Sequence, residues 1–237
     1  NLKGSTMPLI HPNMKTRLTE EQLAYLVEKN PPRVLADGQF TTGAVRLSMV
    51  HLDKPHGMPN DPEDKKRYQV HGLFPHKNIA IIKDLIRART LEYYPNQDPE
   101  SMMQPMNKAH PLKDQALMAA KYAGYVPGLP YIAAKSPSKL ALHKLVAGQP
   151  VDVMEHEVKA TFYGGCWAIL KLNTYKPKVG SPCAIIGLQG ALKILDDTSF
   201  GGGAAGASAS DYGTVDTGPI VDPNLVPDET APAGDGW

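Results

Sequence analysis

The chain has 237 residues, of which 42% are hydrophobic, and its 25 basic residues nearly balance 24 acidic ones. This apolar content is enough for a folded core and excludes wholesale disorder, while two cysteines are too few for a disulfide-stapled scaffold or a four-thiolate zinc site. No apolar run reaches the roughly 18 residues that a membrane span needs, and no signal peptide opens the chain. We therefore expect a soluble intracellular protein with no membrane partner.

The first predicted element is a short helix over about residues 19–29. Thr19 and Gln22 have the spacing of a capping box, and apolar residues follow at helical intervals. Pro31 lies just beyond, and the residue before a proline disfavours helical geometry. We assign residues 1–38 to an N-terminal extension that carries this helix.

Apolar and polar residues then alternate with a period of two, which predicts strands joined by polar loops. In chain order the pattern predicts a strand from Thr41, a loop over 53–67, a strand from Tyr68 to Phe74, a helix over 77–90, and short strands over 131–135 and 151–153. Residues 95–130 are rich in proline and methionine and receive no element.

The clearest pattern predicts a strand from Val158 to Tyr175, interrupted at Gly164-Gly165 as at a β-bulge. Beyond the bulge, one face is apolar. The other face has aromatic ends with a cation and an amide between them, and it comprises Trp167, Ile169, Lys171, Asn173 and Tyr175. This second face is a poor core face and is predicted to be a platform on which nucleic-acid bases stack.

A last strand is predicted from Cys183 to Leu195, with two glycines that allow strong curvature. Short strands, curvature glycines and one helix after the second strand favour a small, partly open barrel. We predict a mainly β fold with minor α content (α+β), an OB-fold-like five-stranded barrel with long loops over residues 39–200. Residues 201–237 have the composition of a Gly-rich linker followed by a disordered acidic tail.

Charge is distributed unevenly along the chain. Residues 211–237 contain six acidic and no basic residues, whereas the other 210 residues contain 25 basic and 18 acidic ones, a net charge of +7. A basic body joined to an acidic tail indicates an interaction tail, often on a nucleic-acid-binding protein. A tail that only increases solubility is the alternative.

No motif in the sequence supports catalysis. The chain lacks a P-loop, a dinucleotide-binding glycine motif and a zinc-protease motif. Residues 61–64 hold three carboxylates, but basic residues beside them favour a solvated loop over a metal-dependent nuclease site. His143, His156 and Cys166 lack metal-ligand spacing, and Cys166 fits a buried, inert thiol. We expect a non-enzymatic protein with no cofactor and no metal.

Residues 162–175 resemble a family of phage single-stranded DNA-binding proteins, for a long time known only as a domain of unknown function. The run Phe162-Tyr163-Gly164-Gly165-Cys166-Trp167 is similar to the family's FYSGCY, and Asn173-Thr174-Tyr175 is similar to the N.Y.Y that follows it. Further similar segments come in the family's order, at 42–48, 68–75, 111–114, 122–125, 132–136 and 187–203. Three features depart from the pattern: Ile169 stands where arginine is expected, Gln189-Gly190 replaces an asparagine pair, and an Arg-Pro pair expected after residues 132–136 is missing, with Lys139 and Lys144 as the nearby cations.

The resemblance implies an OB fold and sequence-tolerant binding of single strands during phage replication or recombination, in the cytoplasm of an infected bacterium. Basic side chains would neutralise phosphates and aromatic rings would stack on bases. The candidate DNA-binding residues are Trp167, Tyr175, Lys171, Tyr163, Arg46, Lys113, Lys135, Lys139, Tyr131 and Phe74. For each ring the alternative is core packing, and for each cation it is an ordinary solvated charge.

The acidic tail would bind phage replication or recombination proteins, or compete with DNA for the protein's own groove. Its candidate residues are Asp228, Glu229, Asp235 and the terminal Trp237. Other readings stay open: a non-enzymatic adaptor that binds a protein partner, and a recombination protein that anneals or cuts strands. The oligomeric state is also open, with a homodimer as one alternative.

Overall fold

The computed structural model describes residues 10–96, 98, 110–176 and 183–201. Its strands are β1 (Arg33–Val34), β2 (Gln39–His56), β3 (Arg67–Leu73), β4 (Leu112–Asp114), β5 (Pro130–Ser136), β6 (Ala141–Val146), β7 (Gln149–Asp152), β8 (Trp167–Tyr175) and β9 (Ile185–Leu195). Its α-helices are α1 (Glu20–Lys29), α2 (Ala80–Tyr93), α3 (Ala116–Ala119) and α4 (Val158–Thr161). None of the described helices is long and apolar enough to cross a membrane.

Five of these strands close into a barrel. The sheet runs β4–β5–β3–β2–β8–β9–β6–β7, and β5 also pairs in parallel with β9, where Lys135 lies opposite Gly187. The order around the barrel is therefore β2–β3–β5–β9–β8 and back to β2. A five-stranded Greek-key barrel of this kind is an OB-like fold, which confirms the predicted fold class.

The barrel interior is filled by the alternate apolar side chains of its strands. These inward residues include Val45, Leu47, Val70, Ile132, Ala134, Ala168, Leu170, Leu172, Ile186, Leu188 and Ala191, all buried. Helix α2 adds Ile82 and Ile86 to the same cluster. Because side chains in a strand point to opposite faces in turn, the residues between these positions must lie on the outside of the barrel.

A second, smaller apolar cluster covers one end of this outside surface. The capping box predicted at Thr19 is present, and α1 contributes Leu23 and Leu26 to a cluster with Met14, Ala44, Val126 and Trp167. The N-terminal segment thus packs against the outer side of β2 and β8. The opposite end of the outer surface has no such cover among the described residues.

Strand β2 extends well beyond the barrel. Its pairing with β3 shifts register between Ser48 and His51, and Met49 between them has a φ of 49°, as expected of a bulge. Past the bulge the two strands continue as a hairpin arm that ends where His56 pairs with Arg67. The predicted loop over 53–67 was therefore too long.

One predicted strand segment is wrong. Residues 158–161 form the helical turn α4, and the Phe162 N–H donates to Val158 O at 2.8 Å. Val158 and Phe162 both enter the core, and a spacing of four places two side chains on one face of a helix as well as on one face of a strand. Strand β6 was not predicted because most of its side chains are only partly buried.

The glycine bend before β8 is a position where the backbone itself requires glycine. Gly165 has a φ of +113°, and a Cβ there would collide with the carbonyl oxygen of Thr198. Gly148 also has a positive φ, +75°, but a Cβ there would meet nothing within 4 Å. An alanine at Gly148 would therefore add backbone strain only, whereas an alanine at Gly165 would add both backbone strain and a steric clash.

We predict that Gly165→Ala lowers the free energy of unfolding by at least about 2 kcal/mol. Gly148→Ala is the matched control and should cost about 1 kcal/mol, since it adds only the strain of a left-handed conformation. Urea unfolding of the two variants and the parent protein measures both values. Equal losses for the two variants would contradict the close packing described at Gly165.

Candidate nucleic-acid interface

Strand β8 presents the two faces that its sequence predicts, except at its first residue. Ala168, Leu170 and Leu172 point into the core. On the other face, Lys171 is exposed and the Tyr175 side chain is 43% exposed. Between them Asn173 is half-buried. The open end of this face therefore carries a cation, an amide and an aromatic ring.

Trp167 is not part of this open surface, which corrects the prediction that it stacks on DNA. Its side chain is 0% exposed and packs in the cluster formed by the N-terminal segment. Its indole Nε1 donates a hydrogen bond to Asp197 Oδ2 at 2.8 Å. Alternation along β8 did place Trp167 on the outer side of the barrel, but α1 covers that end of the strand.

Arg46 is likewise a structural residue and not an exposed phosphate ligand. The residue is 2% exposed. Its guanidinium donates to the carbonyl oxygens of Gly165 at 2.7 Å, Met14 at 2.6 Å and Thr198 at 2.7 Å. Burial lowers the pKa of Arg46 to about 10, so the side chain remains a buried cation at neutral pH.

Asp197 supplies the countercharge to this cation. Its Oδ2 lies 3.6 Å from Arg46 Nη1, and it accepts hydrogen bonds from the Arg17 N–H at 2.8 Å and the Thr198 N–H at 2.6 Å. Burial by itself raises the pKa of Asp197, but the Arg46 guanidinium and these donors outweigh it and hold the pKa below its usual value. The carboxylate is therefore ionised at neutral pH.

Three other predicted aromatic residues have structural surroundings. Phe74 is buried in the barrel core, and Tyr131 is buried in a small cluster with Leu73 and Tyr125 on the outer side of the barrel, which removes both from the set of stacking rings. Tyr163 is half-buried; its hydroxyl donates to Asp196 Oδ1 at 2.8 Å and accepts from the Asp197 N–H at 3.1 Å. Burial, reinforced by Asp196, raises the pKa of Tyr163 above its usual value.

The predicted lysines fall into two groups. Lys139 is exposed, and its Nζ lies 3.0 Å from a Glu155 carboxylate oxygen. Lys113 on β4 and Lys135 on β5 belong to the outer side of neighbouring strands, and both are close enough to His71 on β3 to lower its pKa. Among the described residues, neither Lys113 nor Lys135 has a carboxylate partner, unlike Lys139.

Strand pairing brings the open positions of four strands into one surface, which we call the outer barrel face. Lys135 lies opposite Gln69 on one side and opposite Gly187 on the other. Gly187 in turn lies opposite Asn173 and next to the Tyr175 ring. The outer barrel face comprises Lys113, His71, Gln69, Lys135, Asn173 and Tyr175.

Gly187 allows this close arrangement because it lacks a side chain. A Cβ at this position would collide with Asn173 Oδ1 and would lie 3.2 Å from Tyr175 Cε1. The candidates Gln69 and His71 were missed from sequence, although their alternation with Val70 and Gly72 already placed them on the outer side of β3. What was missing was the neighbourhood of Lys113 and Lys135, which only strand pairing creates.

The residues considered for other chemistry have ordinary structural partners. Cys166 is fully buried, and burial raises its pKa to about 12. Asp61 accepts from the Met58 N–H at 2.7 Å, and Glu63 pairs with Lys66. Within the described ranges there is no group of three or more histidine, cysteine or acidic side chains that could hold a metal ion. The tail candidates Asp228, Glu229, Asp235 and Trp237 lie outside the described residues.

A family model described as "Enterobacter phage Enc34, ssDNA-binding protein" matches residues 39–219. The chain belongs to this family. The resemblance read from the sequence is therefore confirmed, and the family match begins where β2 begins. Among curated proteins, no sequence matches the chain.

Structures of the Enc34 protein share the fold of this family member. The single-stranded DNA-binding protein from bacteriophage Enc34 in complex with ssDNA is 21% identical, with a TM-score of 0.55, covering 73% of this chain and 99% of that chain. A C-terminal truncation of that protein is 22% identical, with a TM-score of 0.53, covering 71% and 92%. A further structure of the Enc34 protein is 22% identical, with a TM-score of 0.53, covering 75% and 91%.

The roles of Arg46 and Lys171 differ sharply, which leads to a stability prediction. Replacing Arg46 by methionine removes the buried countercharge of Asp197 and leaves it only the largely exposed Arg17 guanidinium, 3.8 Å from Oδ1. Breaking a buried pair in this way costs about 3–5 kcal/mol. Lys171→Met is the control, since Lys171 is exposed and its replacement should leave the unfolding midpoint in urea nearly unchanged. We call the Arg46–Asp197 pair and its hydrogen bonds the clamp. Equal stability of the two variants would show that the clamp does not stabilise the fold.

Proposed function

We propose that this protein binds single-stranded DNA without sequence preference, through the outer barrel face, and acts in phage DNA replication or recombination in the host cytoplasm. Membership of the family supports single-stranded DNA as the ligand. The position of the outer barrel face on the barrel supports it as the binding site. In OB folds the second and third barrel strands form the oligonucleotide-binding surface. Here these strands are β3 and β5, which carry His71 and Lys135.

Three lysines on the outer side of the barrel, two of them on the outer barrel face, suit a phosphate backbone. Lys113 and Lys135 flank His71, and Lys171 lies on the exposed side of β8. Each lysine that neutralises a phosphate releases condensed counterions, so the affinity falls as salt rises. Lys139 is a weaker candidate than the sequence predicted, because it already pairs with Glu155.

Tyr175 is the proposed stacking residue. The residue is 43% exposed at the end of β8. Its ring lies next to Gly187, which pairs with Lys135 where β9 meets β5. Stacking of a base on an aromatic ring contributes about 1–3 kcal/mol and has little sequence preference, because every base has a π-face. Tyr163 could contribute only after its contacts with Asp196 and Asp197 are given up.

The function is tested by titrating fluorescently labelled oligo-dT and a duplex of equal length with the protein, at two salt concentrations. Anisotropy is the suitable signal, since a buried Trp167 does not report stacking. We expect single strands to bind preferentially, with an affinity that falls with salt. Absence of binding to single strands at low salt would overturn the proposal, and partner binding without any DNA binding would favour the adaptor alternative.

We predict that Lys135→Gln reduces the slope of log affinity against log salt by about one unit. Lys139→Gln is the matched control, because Lys139 is also exposed and lies four residues after Lys135 in the chain, but its ammonium group already pairs with Glu155. The same anisotropy titration at four or five salt concentrations gives both slopes. An equal slope change in the two variants would place the DNA elsewhere on the protein.

We further propose that the acidic tail recruits phage replication or recombination proteins and competes with DNA for the outer barrel face. The Phe200 N–H donates to Gly164 O at 2.8 Å, and the Phe200 ring packs against the cluster of Leu73, Tyr125 and Tyr131. Leu73 and Tyr131 are outward positions of β3 and β5, so the tail begins beside the face. A chain can span up to about 3.3–3.6 Å per residue, so the acidic residues after Gly201 can reach it.

Deleting residues 211–237 should therefore tighten binding of oligo-dT and abolish binding of partner proteins, because the deletion removes six negative charges. A full-length variant with those six residues changed to asparagine or glutamine is the control for length. Sedimentation of the same samples tests whether the protein forms a homodimer. Unchanged DNA affinity after both changes would argue against competition between tail and DNA.

A further inference from the structure

His71 lies where the outer barrel face meets the buried cluster of Leu73, Tyr125 and Tyr131, and it was not among the residues that the sequence singled out. Its Nδ1 lies 2.8 Å from the Tyr125 hydroxyl, and its ring centroid lies 5.0 Å from that of Tyr131. Lys113 and Lys135 are its charged neighbours. Nδ1 is thus occupied by Tyr125, and Nε2 is the ring nitrogen that a ligand could reach.

The contact with Tyr125 selects the tautomer of His71. A neutral imidazole has one donor and one acceptor nitrogen. Burial raises the pKa of Tyr125 to about 12, so the phenol keeps its proton at ordinary pH, and the nearby Ser48 hydroxyl can donate to the phenol oxygen. With Ser48 donating to the phenol oxygen, the arrangement in which each hydroxyl proton has an acceptor directs the Tyr125 proton at Nδ1 and leaves the imidazole proton on Nε2.

The Nε2–H group is available to a ligand. His71 is half-buried, and its Nε2 is not among the described nitrogens that are both buried and unpartnered. No hydrogen bond to Nε2 is present in the described part of the chain. Burial, reinforced by Lys113 and Lys135, lowers the pKa of His71 to about 4, so the ring is neutral at pH 7.

We propose that His71 is a DNA-contacting residue that donates a hydrogen bond from Nε2–H to a phosphate oxygen of the bound strand, and that Tyr125 is the positioning residue that holds its tautomer. This role rests on the proposed single-strand binding. The His71 imidazole, with Lys113 and Lys135 near it, is a neutral hydrogen-bond donor. The two lysines attract a negatively charged acceptor, and a phosphate oxygen of the DNA strand is such an acceptor. A lysine or arginine in the same place would add repulsion in the free protein.

A neutral donor has a signature that distinguishes it from the lysines. It strengthens binding without releasing a counterion, so its loss lowers affinity but leaves the salt slope unchanged. His71→Asn keeps an amide near the Nδ1 position and removes the outward donor, whereas His71→Gln places an amide nitrogen near the Nε2 position. We expect His71→Asn to bind oligo-dT about tenfold more weakly with the parent slope, and His71→Gln to retain most of the affinity.

Thermal unfolding of both variants checks that they fold. Long-range proton–nitrogen NMR of the unmodified protein tests the tautomer without any substitution: we expect a neutral Nε2–H imidazole, with its Nε2 resonance shifted on addition of oligo-dT. An Nδ1–H tautomer, a reduced salt slope in His71→Asn, or parent affinity in that variant would overturn the role of His71. If the unmodified protein itself does not bind oligo-dT, the proposed function fails instead.

Discussion

The buried pair of Arg46 and Asp197 is the interaction on which the rest of the molecule depends. Arg46 is on β2, yet its guanidinium reaches carbonyl oxygens before β8, in the N-terminal segment and after β9. Asp197 binds the Trp167 indole and the Arg17 N–H from the other side. A charge pair removed from water must be fully satisfied to be tolerated, so these segments have to converge at one place.

This convergence divides the outside of the barrel into two halves. At the clamped end, α1 and the residues after β9 cover the strands and bury Trp167. At the other end, β3, β5, β8 and β9 keep their outward side chains open, and the closure of the barrel at Gly187 brings lysine, histidine, amide and tyrosine side chains together. The clamp thus decides which part of a repeating barrel surface is free to bind a polyanion.

Local patterns predicted the elements whose signals are local. The capping box at Thr19 and the alternation along β8 both appear in the structure, because caps and strand faces depend on residues a few positions apart. The turn at Val158 was mistaken for a strand, since two core residues four positions apart suit either element. Strand β6 escaped prediction although its hairpin partner β7 follows it directly in the chain, because most of its side chains are only partly buried or exposed and show no clear alternation.

The sequence by itself determined the barrel class, the separation of a basic body from an acidic tail, and the outward direction of Lys171 and Tyr175. It could not determine which outward residues remain exposed. Trp167 has the correct direction for a stacking ring, and Arg46 is an ordinary strand cation by pattern, yet both are buried by segments distant in the chain. His71 lies between two lysines only because β3, β4 and β5 pair in register. Burial and proximity across strands are properties of the packed chain, and no local periodicity encodes them.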